Sequence, residues 1–279
     1  MKILVAGADG QLGRSLPEAL RDHEVVACSR KTLDIANAEN VAEMIGRHSP
    51  DIVVNAAAWN QVDRSETDIA AAYRTNAIGP RNLAVATAAC QSILVHVSTD
   101  YVFDGETGRP YVETDTPRPR SVYGASKLAG EEAVRRINPR HHIVRTAWVF
   151  HEQGNNFPRT MIRLAANGPL RVVDDQIGSP TYAPHLAEGI ARLMTQTAYG
   201  TWHMAGRGET SWFHFTRALL ENLKIDVEVS PVATEAFPRP AHRPAYAPLS
   251  TSRNPPIELP SWQEGLATFC AKLEEVPQG

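Results

Sequence analysis

The chain has 279 residues, of which 43% are hydrophobic, and its formal net charge at pH 7 is −3. This composition is typical of a soluble globular protein with one large domain, or a domain plus a smaller lobe. The 28 basic and 31 acidic residues form no basic block, so we expect no nucleic-acid partner. The longest apolar N-terminal run, from Ile3 to Ala8, is too short for a signal sequence or a membrane span. We therefore expect a cytoplasmic protein with no membrane partner.

Cysteine and histidine usage argues against a structural metal or disulfide framework. Cys28, Cys90 and Cys270 lie far apart and show no CxxC spacing. The 10 histidines show no ligand spacing either. We expect no metal site.

Strand-like and helix-like segments alternate through the first half of the chain. Short runs rich in Val and Ile are KILVAG, EVVACS, DIVVNAA, ILVHVS and HHIVRTAWVF. Between them, helical periodicity appears in LPEALRDH, AENVAEMIGRH, AAYRTNAIGPRNLAVATAAC and KLAGEEAVRRI. This order predicts an α/β fold of the Rossmann type, with a doubly wound parallel sheet covered by helices on both faces.

The alternation loosens beyond about position 150. Four further helices are predicted, in NFPRTMIRLAAN, APHLAEGIARLMTQ, SWFHFTRALLENL and SWQEGLATFCAKL. A proline-rich stretch precedes the last one. Because Phe237, Tyr246 and Leu249 are interleaved with its prolines, we expect a docked loop rather than a disordered linker. These features predict a smaller C-terminal lobe laid over the sheet edge.

A glycine-rich turn follows the first predicted strand, in KILVAGADGQLG. Glycine permits a tight turn, close approach of the backbone to a pyrophosphate, and packing of the next helix on the strand. The N-terminus of that helix would face the phosphates. The spacing GxxGxxG therefore predicts a dinucleotide site, with cofactor-binding residues Gly7, Gly10, Gln11, Leu12 and Gly13.

The residues after the second predicted strand bear on whether the cofactor is NADPH or NADH. An acidic residue there would bind the ribose 2′-hydroxyl of NAD, but the chain has Ser29, Arg30 and Lys31. Cations suit a 2′-phosphate. We predict NADPH as cofactor, with Ser29 and Arg30 in its site. NADH is the alternative, since two solvated surface cations would give the same pattern.

The motifs together resemble the extended short-chain dehydrogenase/reductases: GxxGxxG, NAAA at 55–58, STD at 98–100 and YxxxK at 123–127. Longer stretches resemble the dTDP-4-dehydrorhamnose reductase family, namely GQLG, NAAAWNQVDRSE, STDYVFDG, YGASKLAGE, RTAWVF, DDQIGSPTYA, GTWHMAG and HRPAYAPLS. The resemblance implies a seven-stranded parallel sheet. It implies an NAD(P)-binding Rossmann domain over 1–150, with sheet-completing segments later in the chain, and a lobe over 151–279 that mainly binds a sugar nucleotide.

The resemblance also implies roles for individual residues. The catalytic set would be Thr99, Tyr123 and Lys127. The cofactor would further contact Asp34, Ile35, Ala56, Ala57, Ala58, Tyr123 and Lys127. The deoxysugar would be faced by Thr99, Asp100, Tyr101 and Trp148. Some members hold a magnesium ion between subunits through glutamates, one just after the glycine motif. Because Arg14 and Ser15 stand at those positions here, we expect a monomer or homodimer without that metal.

The implied activity is NAD(P)H-dependent reduction of the C4 ketone of a dTDP-4-keto-6-deoxy-L-hexose, giving dTDP-L-rhamnose. Another nucleotide-sugar 4-ketoreductase, such as one forming dihydrostreptose, would show nearly the same motifs. A 4,6-dehydratase would carry glutamate after Asp100, where this chain has Tyr101. A non-catalytic subunit resembling the regulatory subunit of methionine adenosyltransferase shares the fold, but the intact catalytic set argues against it.

The chemistry of ketone reduction explains why Tyr123 and Lys127 would stand four residues apart, on one face of a helix. A proton donor must reach the carbonyl oxygen as hydride reaches the carbon. A free tyrosine has a pKa of about 10, and a nearby ammonium lowers such a pKa by roughly 1 to 3 units. We therefore expect Lys127, together with the positive nicotinamide of the oxidised cofactor, to lower the pKa of Tyr123, and Thr99 to donate a second hydrogen bond to the oxygen.

Overall fold

The computed structural model describes residues 1–275. The strands are β1 (Lys2–Ala6), β2 (Glu24–Cys28), β3 (Ile52–Asn55), β4 (Ile93–Thr99), β5 (His141–Thr146), β6 (Val149–Phe150), β7 (Leu170–Val173), β8 (Ile177–Gly178), β9 (Thr181–Tyr182), β10 (Gly200–His203), β11 (Thr210–Ser211) and β12 (Val229–Val232). The α-helices are α1 (Gln11–Ala19), α2 (Ala38–His48), α3 (Val62–Ser65), α4 (Ile69–Tyr73), α5 (Gly79–Ala89), α6 (Val122–Ile137), α7 (Phe157–Ala165), α8 (Ala183–Leu193), α9 (Trp212–Asn222) and α10 (Trp262–Glu275). None of them is long and apolar enough to cross a membrane.

The central sheet has six parallel strands in the order β10-β5-β4-β3-β1-β2. From β1 the chain moves outward to β2 and then returns to β3 on the other side of β1. Such a switch point opens a crevice at the carboxyl ends of the two central strands. The predicted doubly wound α/β fold is confirmed, and it places the segments after β1 and β3 at one crevice.

The expectation of a seventh sheet strand is wrong for residues 1–275. Past β10 the sheet adds no strand, and β7 pairs with β12 in a separate parallel two-stranded sheet. The residues of β12 are partly exposed rather than buried on both faces. Partial exposure is expected of a strand in a small lobe, whereas a central strand of a parallel sheet is buried on both faces.

Alternate residues of the central strands enter two separate cores. In β1, Ile3 and Val5 join a core that includes Leu16 of α1 and Ile190 of α8. Leu4 enters the core on the opposite face, which is formed by α2, α5 and α6. Because successive side chains of a strand point to opposite faces, the uniformly apolar run KILVAG is what a sheet covered on both sides requires.

The segment AAYRTNAIGPRNLAVATAAC, predicted as one helix, is divided. Between α4 and α5 lies a π-helical turn, Arg74–Ile78. Its buried Asn76 accepts a hydrogen bond from the Trp59 amide at 2.8 Å and donates to Ser126 Oγ at 3.0 Å. A π-helical turn often accompanies a functional site, and this one braces helix α6.

The later part of the chain contributes both to the sheet and to a second core. Strand β10 forms the sheet edge beside β5, while α9 and α10 pack around Phe150, Phe215 and Phe269. The proline-rich stretch is docked as predicted, since Leu249 pairs with Tyr111 and Tyr246 pairs with Ile177. The four helices predicted after position 150 correspond to α7, α8, α9 and α10.

Candidate active site

A cleft of about 600 Å³ lies at the carboxyl ends of the central strands. Most of the residues predicted for the site line it: Gly7, Gly10, Gln11, Leu12, Arg30, Asp34, Ile35, Ala56, Ala57, Ala58, Thr99, Asp100, Tyr101, Tyr123, Lys127 and Trp148. Gly13 and Ser29 do not line it. Gly13 packs helix α1 on the turn instead, because a Cβ there would stand 2.1 Å from the Gly7 carbonyl oxygen. Ser29 braces its own turn by accepting a hydrogen bond from the Lys31 amide at 3.2 Å.

One end of the cleft is formed by the glycine turn after β1 and the N-terminus of α1. Gly7 has φ of +81°, and a Cβ at this position would stand 2.6 Å from the Ala57 amide nitrogen, so glycine lets the turn pack against the segment after β3. Gly10 is the N-cap of α1 and has no side chain to bond the first amides of that helix. Unpaired amides at a helix N-terminus attract anions. The turn therefore fits the pyrophosphate of a dinucleotide.

The neighbouring wall of the cleft carries Arg30, Asp34 and Ile35. The Asp34 carboxylate accepts a hydrogen bond from the Ala36 amide at 3.1 Å and lies 3.8 Å from the Arg74 guanidinium. Arg30 is exposed, and within residues 1–275 no acidic side chain forms an ion pair with it. A cation that faces the cleft without a protein partner suits an anionic group on the cofactor.

Helix α6 presents Tyr123 and Lys127, and its start is fixed by two side chains. Ser121 accepts a hydrogen bond from the Gly124 amide at 3.1 Å, and Glu66 accepts one from the Val122 amide at 2.8 Å. These bonds satisfy first-turn amides that would otherwise lack partners. A Cβ on Gly124 would stand 2.1 Å from the Tyr101 carbonyl oxygen, so glycine allows α6 to approach the turn after β4. The catalytic candidates on the helix and the strand are thereby brought together.

Lys127 is buried, and only 2% of its surface is exposed. Its ammonium donates a hydrogen bond to the Val97 carbonyl oxygen at 2.6 Å. Burial lowers the pKa of Lys127 to about 8, because desolvation penalises the charged form. Lys127, at the floor of the cleft, therefore loses its proton more readily than an exposed lysine does.

The expectation that Lys127 lowers the pKa of Tyr123 is wrong. The Tyr123 ring reaches the cleft, but its phenol is surrounded by protein, and desolvation raises its pKa to about 12. A hydrogen bond with Thr99 opposes this rise, whereas the charge of Asp100 adds to it. The Lys127 ammonium is held at Val97 and does not offset the desolvation. The phenol consequently carries its proton at neutral pH.

Thr99 and Asp100 form a polar pair beside Tyr123. The Thr99 hydroxyl donates to Asp100 Oδ1 at 2.9 Å and accepts from the Tyr101 amide at 3.2 Å. Asp100 is 2% exposed, and its Oδ2 is buried without a hydrogen-bond partner among residues 1–275. Burial raises the pKa of this carboxyl to about 7. Near neutral pH, the Asp100 carboxyl is therefore protonated in part of the molecules and charged in the rest.

Two stacked tryptophans form the far wall of the cleft, and only one of them was predicted. Trp148 has a left-handed backbone with φ of 48°, and its ring stacks on Trp212 with centroids 3.3 Å apart. Gly178 gives the Trp148 ring room, since a Cβ there would stand 2.5 Å from its Cε2. In the sequence, Trp212 opens the amphipathic segment SWFHFTRALLENL and looks like a core aromatic. Other lining residues that sequence reasoning missed are Trp59, Asn60, Thr75, Phe157 and Phe215.

Comparison with known proteins agrees with this geometry. A family model described as the RmlD substrate binding domain matches residues 1–275. A dTDP-4-dehydrorhamnose reductase of Mycobacterium tuberculosis is 43% identical over 284 residues, covering 97% of this chain and 92% of that protein. The chain belongs to the dTDP-4-dehydrorhamnose reductase family.

Solved structures of this reductase family superpose closely on the chain. One from Clostridium acetobutylicum has 41% sequence identity and a TM-score of 0.94, covering 98% of this chain and 100% of that one. Another, from Bacillus anthracis in complex with NADP, has 40% identity and a TM-score of 0.95, covering 97% and 99% of the two chains. Within residues 1–275 of this family member, no cluster of three or more His, Cys, Asp or Glu side chains could hold a metal ion.

The raised pKa of Asp100 predicts a pH dependence of stability. Folding raises this pKa from 3.8 to about 7, so between these values the folded protein holds a proton that the unfolded chain has released. Stability must then fall as the pH rises through that window. Asp100→Asn cannot titrate, and relative to wild type it should gain about 2 to 4 kcal/mol between about pH 4 and about pH 8. Denaturant unfolding across this pH range measures the difference.

Asp22→Asn, at an exposed position, is the matched control and should track wild type throughout. A constant offset between Asp100→Asn and wild type at every pH would show that the carboxyl is charged in the folded protein at all of them.

Proposed function

We propose that this chain reduces the C4 ketone of a dTDP-4-keto-6-deoxy-L-hexose with NADPH, giving dTDP-L-rhamnose. The proposal rests on one arrangement above all: Thr99, Tyr123 and Lys127 converge on a cleft whose other end is a glycine turn fitted to a dinucleotide. Membership of the dTDP-4-dehydrorhamnose reductase family supports the substrate class. The relative solved with NADP supports the cofactor.

NADPH would be held by the residues around the glycine turn. The N-terminus of α1 behind Gly10 would bind its pyrophosphate, Asp34 and Ile35 would flank the adenine, and Arg30 would bind the 2′-phosphate. The bound cofactor supplies the hydride. Lys127, at the cleft floor, would hold the hydroxyls of the nicotinamide ribose.

Proton delivery falls to Tyr123. Its raised pKa keeps the phenol protonated, so the group carries the proton that the carbonyl oxygen needs when negative charge develops there. Thr99 would turn its hydroxyl from Asp100 to the carbonyl oxygen of the substrate. A hydrogen bond of this kind stabilises the transition state by about 3 kcal/mol in other enzymes.

The sugar would lie between the catalytic set and the aromatic wall. Asp100, Tyr101 and Trp148 line this part of the cleft and are proposed to face the deoxysugar. We place the activity in the cytoplasm, where nucleotide sugars and NADPH are made, and we expect a monomer or homodimer. Reduction of a different nucleotide-sugar ketone, or binding without turnover, would be revealed by assaying the protein with each substrate.

Tyr123→Phe should abolish most of the activity without disturbing the fold. The substitution keeps the ring that contacts Tyr101 edge-on at 5.4 Å and removes only the hydroxyl. Losing a general acid typically lowers the rate by about two to four powers of ten. Single-turnover reduction of dTDP-4-keto-6-deoxy-L-hexose measures the loss, and NADPH titration should give wild-type affinity. Activity within a few-fold of wild type would remove Tyr123 from the mechanism and favour a non-catalytic role.

Arg30→Ala should weaken NADPH much more than NADH. Because Arg30 faces the cleft without an acidic partner, its charge is free for the 2′-phosphate that only NADPH carries. Removing one charge-assisted contact should raise the KM for NADPH by about tenfold or more. Arg136→Ala, which removes an exposed arginine of α6 that does not line the cleft, is the control. Equal changes in both KM values would exclude Arg30 from cofactor selection.

A further inference from the structure

Glu131 lies one helical turn beyond Lys127 on α6 and is fully buried, with 0% of its surface exposed. It is the last residue of the stretch YGASKLAGE, and the proposed reaction assigns it no role. Its carboxylate is held from two neighbouring strands. Ser98 of β4 donates to Oε1 at 2.5 Å, and Arg145 of β5 donates to Oε2 at 2.7 Å.

These contacts tie the helix to the strand that carries Thr99. Ser98 and Arg145 are direct neighbours in the register of β4 with β5, so both reach the same carboxylate. On the preceding turn of α6, Lys127 bonds the carbonyl of Val97. Two adjacent residues of β4 are thus bonded by two side chains one turn apart on α6. These two contacts between α6 and β4 fix the position of Lys127 along the strand, relative to Thr99.

Two titratable groups interact electrostatically with Lys127: Glu131 on α6 and His96 on β4. The Glu131 carboxylate favours the cationic form of Lys127 by its charge, without forming an ion pair with it. Burial lowers the pKa of His96 well below its usual value, and the charge of Lys127 lowers it further, so this imidazole is neutral. Glu131 is the one neighbour that raises the pKa of Lys127 against the effect of burial.

Two arginines share the Glu131 carboxylate. Arg145 is 2% exposed and pairs with it directly, while Arg135, at the surface, lies 3.6 Å from Oε2. A buried carboxylate and guanidinium of this kind often contribute little net stability compared with neutral residues. A contribution to stability alone therefore does not explain why Lys127, Glu131 and Arg145 are all buried near the cleft.

We propose that Glu131 is a positioning residue, whose carboxylate sets the place of Lys127 over β4 and keeps its side chain cationic. This inference rests on the proposed reductase function. It assigns Glu131 no contact with substrate or cofactor, and its whole effect passes through Lys127.

The test compares Glu131→Gln with the double variant Glu131→Gln/Arg145→Gln. In the single variant Lys127 loses a nearby negative charge and Arg145 loses its carboxylate partner, so the alkaline limb of the kcat profile should move to lower pH by about one unit. Thermal stability should fall as well. The double variant removes the orphaned charge and should regain stability, but its alkaline limb should stay below that of wild type and its kcat should stay reduced by about tenfold.

A merely architectural Glu131 predicts that the double variant regains wild-type kcat and pH profile along with its stability, and that result would overturn the inference. Glu132→Gln is the matched control, because Glu132 is exposed on the same helix and should leave every reading unchanged.

NADPH affinity gives a reading that does not depend on turnover. If Lys127 binds the cofactor as a cation, affinity should weaken as the pH rises through its pKa of about 8. In both Glu131 variants this weakening should begin at lower pH. A wild-type protein that binds NADPH with this pH dependence but reduces no sugar would refute the proposed function alone. Identical binding profiles for wild type and both variants would refute the role of Glu131.

Discussion

The hydrogen bond from the Lys127 ammonium to the Val97 carbonyl, 2.6 Å long, is the contact on which the site depends. It buries a cation at the crossing of helix α6 and strand β4, where the desolvation cost is large. The surrounding fold is arranged to permit this crossing. Gly124 lacks a side chain where α6 meets the Tyr101 carbonyl just after β4, so the helix lies close enough to the strand for Lys127 to reach it. Gly130 allows the same helix to pack against the Asn76 carbonyl of the π-helical turn.

Burial sets the charge state of the whole cleft floor. Desolvation raises the pKa of Tyr123 to about 12 and that of Asp100 to about 7, and it lowers that of Lys127 to about 8. Each shift favours the neutral form of its group. A ketone reduction creates negative charge in this environment, where burial weakens screening by solvent. In the reaction we propose, the protons of Tyr123 and Thr99 stabilise the transition state more than the ground state.

Local patterns in the sequence were enough to predict β1 to β5, the glycine turn and the Tyr123–Lys127 pair, because each depends on residues close in the chain. Strand β10, which completes the edge of the central sheet, was not predicted. The stacking of Trp148 on Trp212 could not be predicted in this way. It joins separate elements and requires a left-handed backbone at Trp148 and the missing side chain of Gly178. The pKa of Tyr123 was predicted with the wrong sign, since spacing on a helix reveals the neighbouring charge but not the desolvation. The π-helical turn around Asn76 also depends on a distant partner, Ser126.

The most direct test of the proposed reduction follows the transferred hydrogen. Wild-type protein is incubated with NADPH that carries deuterium at both C4 positions of the nicotinamide and with dTDP-4-keto-6-deoxy-L-hexose, and the product is analysed by NMR. One deuterium should appear on C4 of the sugar, with the hydroxyl proton drawn from Tyr123 and exchanging with solvent. Oxidation of NADPH with deuterium at any other sugar carbon, or product formed without deuterium, would contradict it.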